Sequence, residues 1–180
     1  MHLLILSVDR KNRLEIKCLK FNQLYEDGDI MYQIKALSQL NYADWLVLWQ
    51  AYQAFYGVNL AISINEQTWQ RLIATDYTHM YGFAACQDEQ ILGIVHVIEH
   101  DSCWTSQPYA YLQDLYVLDT ARGNGIAKLL IQYVQQHCHA HCDRVYWLTH
   151  ESNVAARHVY DQVAKQTGFI QYRLPVQANI

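Results

Sequence analysis

Tyr111-Leu-Gln-Asp-Leu-Tyr-Val-Leu-Asp-Thr-Ala-Arg-Gly-Asn-Gly-Ile-Ala-Lys-Leu-Leu130 begins with the alternation of a β-strand and finishes with the periodicity of a helix. Leu112, Asp114, Tyr116 and Leu118 fall on one predicted strand face, and Tyr111, Gln113, Leu115 and Val117 on the other. Ile126, Leu129, Leu130, Tyr133 and Val134 then recur at helical spacing. The connection from Asp119 to Gly125 carries Arg122, Gly123 and Gly125. A strand, a glycine turn and a helix start aim free backbone N–H groups and the positive end of a helix dipole at one point. That arrangement predicts a phosphate site.

Working outward, Met31 to Leu37 alternates as a strand. Trp45, Leu48, Trp49, Tyr52, Phe55 and Tyr56 make a helical stripe over Asn41–Tyr56, ended by Gly57. Ser63 and Glu66 have capping-box spacing and predict a second helix from Ser63 to Thr75. Met80–Cys86 and Ile91–Ile98 read as a hairpin around Gln87–Gln90. After the central strand and a helix over about Gly125–His141, Arg144–Thr149 reads as a strand and Asn153–Thr167 as a helix stopped by Gly168. Phe169–Leu174 is expected to close the sheet as a last strand. Strands interleaved with helices give a mixed α/β domain with one central sheet over residues 31–180.

Residues 1–30 stand apart, with a short apolar run, the basic residues Arg10, Lys11, Arg13, Lys17 and Lys20, and then Glu26-Asp-Gly-Asp29. They read either as an extension or as a start placed upstream of a natural first residue at Met31. The second is the working expectation.

At 180 residues the chain is long enough for a substantial core, and its 14 tyrosines and 17% charged residues argue against disorder. A net charge of −4 leaves no basic stripe for nucleic acid. The five cysteines are odd in number and lack CxxC pairs, so a reducing, cytoplasmic setting is expected rather than a disulfide scaffold. The apolar run at Met1–Val8 is too short to span a membrane, and no membrane partner is expected.

Known glycine turns discriminate further. A dinucleotide fingerprint wants a small residue three positions after its second glycine, and here Lys128 stands there. A Walker loop wants Lys-Ser/Thr after glycines five apart, and here Lys128 is followed by leucine. Arg122-Gly-Asn-Gly-Ile-Ala127, after a strand ending Leu115-Tyr-Val-Leu118, resembles the acetyl-CoA signature of the GNAT superfamily of N-acetyltransferases. Asn153, Ala156 and Tyr160, at i, i+3 and i+7 on one predicted helix face, resemble the second cofactor-lining motif of that family. The spacing from Tyr160 to Gly168 is similar to that of the histone- and polyamine-type branch.

The resemblance implies a mostly antiparallel central sheet flanked by helices and splayed between its fourth and fifth strands. It also implies direct attack of a primary amine on acetyl-CoA. Backbone groups of Leu115, Tyr116 and Val117 would hold the pantetheine and polarise the thioester. Arg122, Gly123, Asn124, Gly125, Ile126 and Ala127 would bind the pyrophosphate. Asn153 would bond the pantetheine arm, Ala156 would leave it room, and Tyr160 would protonate the departing thiolate. Polyamine-type relatives read Leu-Glu-Asp where this chain has Leu112-Gln113-Asp114. Gln113 cannot act as a base. Asp114 is the candidate amine-binding residue and proton acceptor, with a water chain held by Asp114, Glu151 or His150 as the other route.

Two other clusters have plainer readings. His137, Cys138, His139, His141 and Cys142 include i, i+4 pairs that zinc uses, but histidines near a helix C-terminus also satisfy the dipole, and no metal is expected. Trp45, Trp49, Tyr52 and Tyr56 are expected to pack in the core, with Tyr52, Tyr56 or the Trp104 loop as alternative acceptor contacts. The acceptor is expected to be a small or polyamine-like amine; many members of the family this chain resembles are homodimers, but no feature of this sequence establishes a dimer. The competing class is a GNAT-fold acyl-CoA sensor or interaction module without chemistry.

Overall fold

The computed structural model describes the backbone of residues 4–8, 14–18, 23–27 and 30 and the whole of residues 31–176. Arg10, Lys11, Arg13 and Lys20 of the amino-terminal segment lie outside the described residues. The chain divides into two compact units, Met1–Leu148 and Thr149–Ile180.

In the first unit, β1 (Leu4–Val8) and β2 (Leu14–Cys18) pair as an antiparallel hairpin. The main sheet has six strands in sequence order: β3 (Gln23–Asp27), β4 (Ile30–Ala36), β5 (Met80–Gln87), β6 (Gln90–His100), β7 (Tyr109–Val117) and β8 (Arg144–Tyr146). All neighbours are antiparallel except β7 and β8, which are joined through helix α3 (Ile126–Cys138). The expected mixed fold with one mostly antiparallel sheet is therefore present. The splay between the fourth and fifth strands counted from Met31 is visible too. β8 pairs only with Tyr109, Ala110 and Tyr111, so β7 from Leu112 onward has no strand on that side among the described residues.

Helix α1 (Tyr42–Phe55) starts where Asn41 accepts a hydrogen bond from the Asp44 amide, and Gly57 follows it at φ 66°. Helix α2 (Ile62–Ile73) begins one residue before the expected cap. Ala61 occupies the N-cap without a side-chain bond, so Ser63 and Glu66 lie inside the helix rather than forming a capping box. α1 and α3 cover opposite faces. Trp45 of α1 bonds His96 of β6, whereas Phe83, paired with Val95, meets Tyr133 of α3. Adjacent strand residues point to opposite faces, which separates the two helices. The core on the α1 face holds Trp45, Trp49 and Trp69, with Trp45 stacked on Trp49 at 5.8 Å.

Gly82 faces this core with no room for a side chain. A Cβ there would meet Leu37 Cδ1 and the Val95 carbonyl oxygen, both at 2.6 Å, and His96 Cδ2 at 3.2 Å. Overpacking of this kind costs about 1–3 kcal/mol. Gly82→Ala is expected to lose that much in urea unfolding, and unchanged stability would show that the strand pair yields without cost.

In the second unit, α4 (Val154–Val163) is shorter than expected, and the chain from residue 164 to 176 forms no strand. This corrects the reading of Phe169–Leu174 as a closing strand. Phe169, Ile170, Tyr172 and Leu174 are 75–92% exposed. Their alternation is strand-like, but a strand exists only where a neighbour accepts its backbone hydrogen bonds. β8 likewise stops at Tyr146 rather than Thr149.

Candidate active site

The strand β7 is not a plain alternation. Asp114 pairs with His96 and Leu112 with Val97, so Gln113 has no partner and forms a β-bulge. His96 and Val97 point to opposite faces, and Asp114 and Leu112 must do the same. The expected shared face of Leu112 and Asp114 is thus corrected by one inserted residue. Leu112 is buried, Gln113 is exposed, and Asp114 is turned onto the α1 face.

There Asp114 enters a chain of hydrogen bonds. Trp45 Nε1–H donates to His96 Nε2 at 3.0 Å, and His96 Nδ1 lies 3.0 Å from Asp114 Oδ2. Indole nitrogen is only a donor, so Nε2 of His96 must be the unprotonated acceptor. The proton of the imidazole therefore sits on Nδ1 and is donated to Asp114. His96 is wholly buried and Asp114 is 15% exposed at its side chain. The pair is a neutral imidazole holding a carboxylate, with its tautomer set by Trp45. Tyr52 also bonds Asp114 and Tyr56, and its hydroxyl is pushed far above the usual phenol range by burial first and by the Asp114 charge second. Tyr52 stays a neutral donor. Asp114 is thus held by two neutral donors, with no cation to neutralise it among these contacts.

His96 was not singled out from the sequence, although it is the one polar residue in the apolar run Ile91–Ile98. A titratable residue in a strand that is otherwise buried needs a partner. That was the available signal. Trp45 joins it from the helix stripe, where its indole N–H gave no hint of direction.

Beyond the bulge, the open edge of β7 presents backbone. Leu118 N–H donates to Leu92 O at 2.9 Å, so by the alternation of an antiparallel ladder Tyr116 faces its polar groups toward β6. Leu115 and Val117 then face theirs toward the unpaired side. Of the three predicted strand residues, the structure gives Leu115 and Val117 outward backbone groups, and it turns the Tyr116 side chain onto Tyr52 at 5.9 Å between rings.

The strand leads through Asp119–Ala121 to the glycine loop. Gly123 and Gly125 have φ of 82° and 71°, a region glycine enters without strain. Gly125 is the N-cap of α3, and the first helical bond runs from Leu129 N–H to Gly125 O at 2.9 Å. The amides of Ile126, Ala127 and Lys128 therefore have no acceptor within the helix. No acidic residue stands in that first turn to compensate the dipole. Gly123, Asn124 and Gly125 are exposed, and Asn124 bonds back to Ala121 O at 3.3 Å, which braces the loop. Arg122 pairs with Asp119 at 2.7 Å, but the two side chains are 49% and 73% exposed. Such a pair is weak and leaves the guanidinium available to another anion. These residues suit the diphosphate of coenzyme A: fixed amides, an uncompensated dipole and one half-exposed cation.

In the second unit, Asn153, Ala156 and Tyr160 lie on the half-buried side of α4, while Val154, Ala155, His158 and Asp161 are exposed. Asn153 is the N-cap, its Oδ1 accepting from Ala156 N–H at 3.4 Å, with Nδ2 3.4 Å from Thr149 Oγ1. Its carbonyl thus serves its own helix. His150, an alternative base, is exposed and its Nδ1 is engaged with Ser152 at 2.7 Å.

Comparison with known proteins places most of the chain in one family. The sequence model of the acetyltransferase (GNAT) family matches residues 35–164. A D-amino-acid N-acetyltransferase of Saccharomyces cerevisiae is 28% identical over 143 residues, covering 78% of this chain and 88% of the yeast protein. Among solved structures, the aminoglycoside N-acetyltransferase AAC(6')-Iy in complex with CoA is 18% identical, with a TM-score of 0.71 over 85% of this chain and 100% of that one. An aminoglycoside acetyltransferase from an uncultured soil metagenomic sample is 21% identical, with a TM-score of 0.65 over 80% of this chain and 97% of that one. The family match, spanning both the glycine loop and α4, shows that this chain belongs to the GNAT acetyltransferase family and is an acetyl-CoA-dependent N-acetyltransferase.

Proposed function

We propose that the enzyme acetylates a small cationic primary amine by direct transfer, with Asp114 receiving the amine. The observation that carries this reading is the Trp45–His96–Asp114 chain, which fixes one carboxyl group beside the open edge of β7. A carboxylate bonded only to neutral donors attracts an ammonium group and can take a proton from it, which frees the lone pair that then attacks. The net charge of −4 favours cationic acceptors. Relatives named for D-amino acids and aminoglycosides support an amine of low molecular weight.

In this reading the amine nitrogen forms a bond to the acetyl carbon as the carbon–sulfur bond breaks. Asp114 accepts the proton from nitrogen, directly or through water. Outward N–H groups of Leu115 and Val117 stabilise the charge on the carbonyl oxygen. Arg122 and the amides of Gly123, Asn124, Gly125, Ile126 and Ala127 hold the pyrophosphate, and Ala156 leaves room for the pantetheine. Asn153 contributes its amide nitrogen to that arm, since its carbonyl already caps α4. Tyr160 donates a proton to the thiolate.

Tyr160→Phe is expected to lower kcat about 10- to 1000-fold, up to the scale of general acid catalysis, with acetyl-CoA affinity unchanged. A rate within twofold or so of the parent would remove Tyr160 from that role. The proposal as a whole is tested by thiol release from acetyl-CoA across polyamines, aminoglycosides and D- and L-amino acids. Turnover concentrated on one small amine class supports it. Tight acetyl-CoA binding with no turnover on any of these amines would overturn the small-amine reading.

A further inference from the structure

Glu99, near the end of β6, meets the carboxyl-terminal turn of α3 in a cluster that the acetyl-transfer site does not use. One ligating atom from each of Glu99, Cys138, His141 and Cys142 lies within 4.8 Å of all the others. Cys138 is the last residue of α3, and both His141 N–H and Cys142 N–H bond back to Cys138 O, at 3.0 and 2.8 Å. That tight turn brings the three side chains to one side. Glu99 comes from a distant stretch of chain, and its Oε1 lies 2.9 Å from His141 Nε2. Cys138 and Cys142 are 2% and 8% exposed, the Glu99 side chain 14%, and the His141 side chain 44%.

We propose that Glu99, Cys138, His141 and Cys142 form a four-ligand structural zinc site. Zinc bonds of about 2.3 Å to sulfur and about 2.0–2.2 Å to nitrogen and oxygen give tetrahedral ligand–ligand edges of roughly 3.3–3.8 Å. The observed group needs only small side-chain rotations to reach that size. Two sulfurs with one imidazole and one carboxylate select zinc over calcium or magnesium, which take oxygen. The site has the outer shell such centres use: Tyr81 O–H donates to Glu99 Oε1 at 2.6 Å, and its oxygen lies 3.3 Å from Cys138 Sγ. His141, at the solvent boundary, is the entry side. With four protein ligands no position remains for substrate, so the metal has a structural role. It ties the far end of β6 to the helix whose other end is the glycine loop. Glu99 is the member that the sequence does not associate with the helix-terminal histidines and cysteines, because no sequence spacing connects it to them.

Metal content of the full-length protein without a histidine tag is the test. Reduced, chelator-treated protein is titrated with cobalt and then with zinc. The expected result is thiolate-to-cobalt charge-transfer absorption with intense tetrahedral bands, saturating at about one equivalent and displaced by zinc. Added zinc should also raise Tm, because it binds the folded state. His141→Ala is expected to weaken zinc binding at least about 100-fold, beyond the loss typical of an outer-shell partner, and Cys142→Ser, which leaves one of the two thiolates, should lower the charge-transfer band by about half. Cys103→Ser, which alters an exposed cysteine outside the cluster, should change neither. Absence of the tetrahedral spectrum in the parent protein overturns the proposal, even if the variants fail to fold. So does a spectrum unaltered in folded His141→Ala and Cys142→Ser, or a Cys138–Cys142 disulfide that survives treatment with reductant.

Discussion

Asp114→Asn is expected to lower kcat by about 100- to 10,000-fold, the range for loss of a general base, with acetyl-CoA affinity unchanged. The substitution is chosen because so little else changes. Asparagine fills the same volume, and its carbonyl oxygen can still accept the proton that His96 Nδ1 donates to Asp114 at 3.0 Å. The Trp45–His96 bond is left intact. What disappears is the negative charge that draws an ammonium group and the basicity that takes its proton. The readout is therefore split: kcat and the amine KM should both suffer, while Tm stays close to the parent value. Turnover within a few-fold of the parent would move the proton to a water chain and leave Asp114 a structural partner of His96.

Gly125→Glu is expected to eliminate detectable acetyl-CoA binding in titration calorimetry. Two effects add. At φ 71° a residue with a Cβ is strained by roughly 1–2 kcal/mol. The new carboxylate would also sit at the unbonded amides of Ile126, Ala127 and Lys128 and repel a diphosphate. Gly125→Ala separates the two, because it carries the strain without the charge. It should retain weakened binding where the glutamate retains none. Tight binding by the glutamate variant would mean that the diphosphate is held elsewhere.

Much of this enzyme was legible in local sequence. The helix stripe of Trp45, Leu48 and Trp49, the hairpin at Asp88–Glu89 and the glycine loop all depend on neighbours within a few positions, and they stand where they were expected. What was not legible depends on partners far along the chain. The Gln113 bulge exists because β6 and β7 differ by one residue in the space they must fill, and only the paired strand records that. His96 acquires its meaning from Trp45, 51 positions away. The Ser63–Glu66 cap failed because Ala61 already begins the helix, and a capping box is one way to start a helix rather than a requirement. Phe169–Leu174 has the composition of a strand and none of the pairing.

The Gln113 bulge also bears on how this gene can change. Side-chain direction along β7 is a matter of counting, and Gln113 is the unit that makes the count odd between Leu112 and Asp114. Its exposed side chain is open to substitution, so a wide range of residues can stand there without disturbing the strand. A deletion keeps the faces as well. Removing Gln113 would make Leu112–Val97 and Asp114–His96 consecutive pairs of an unbroken ladder, with Asp114 still toward His96 and Tyr116 still toward Tyr52. At this position lineages can drift in letter and in length; what a deletion removes is the extra local twist of the bulge.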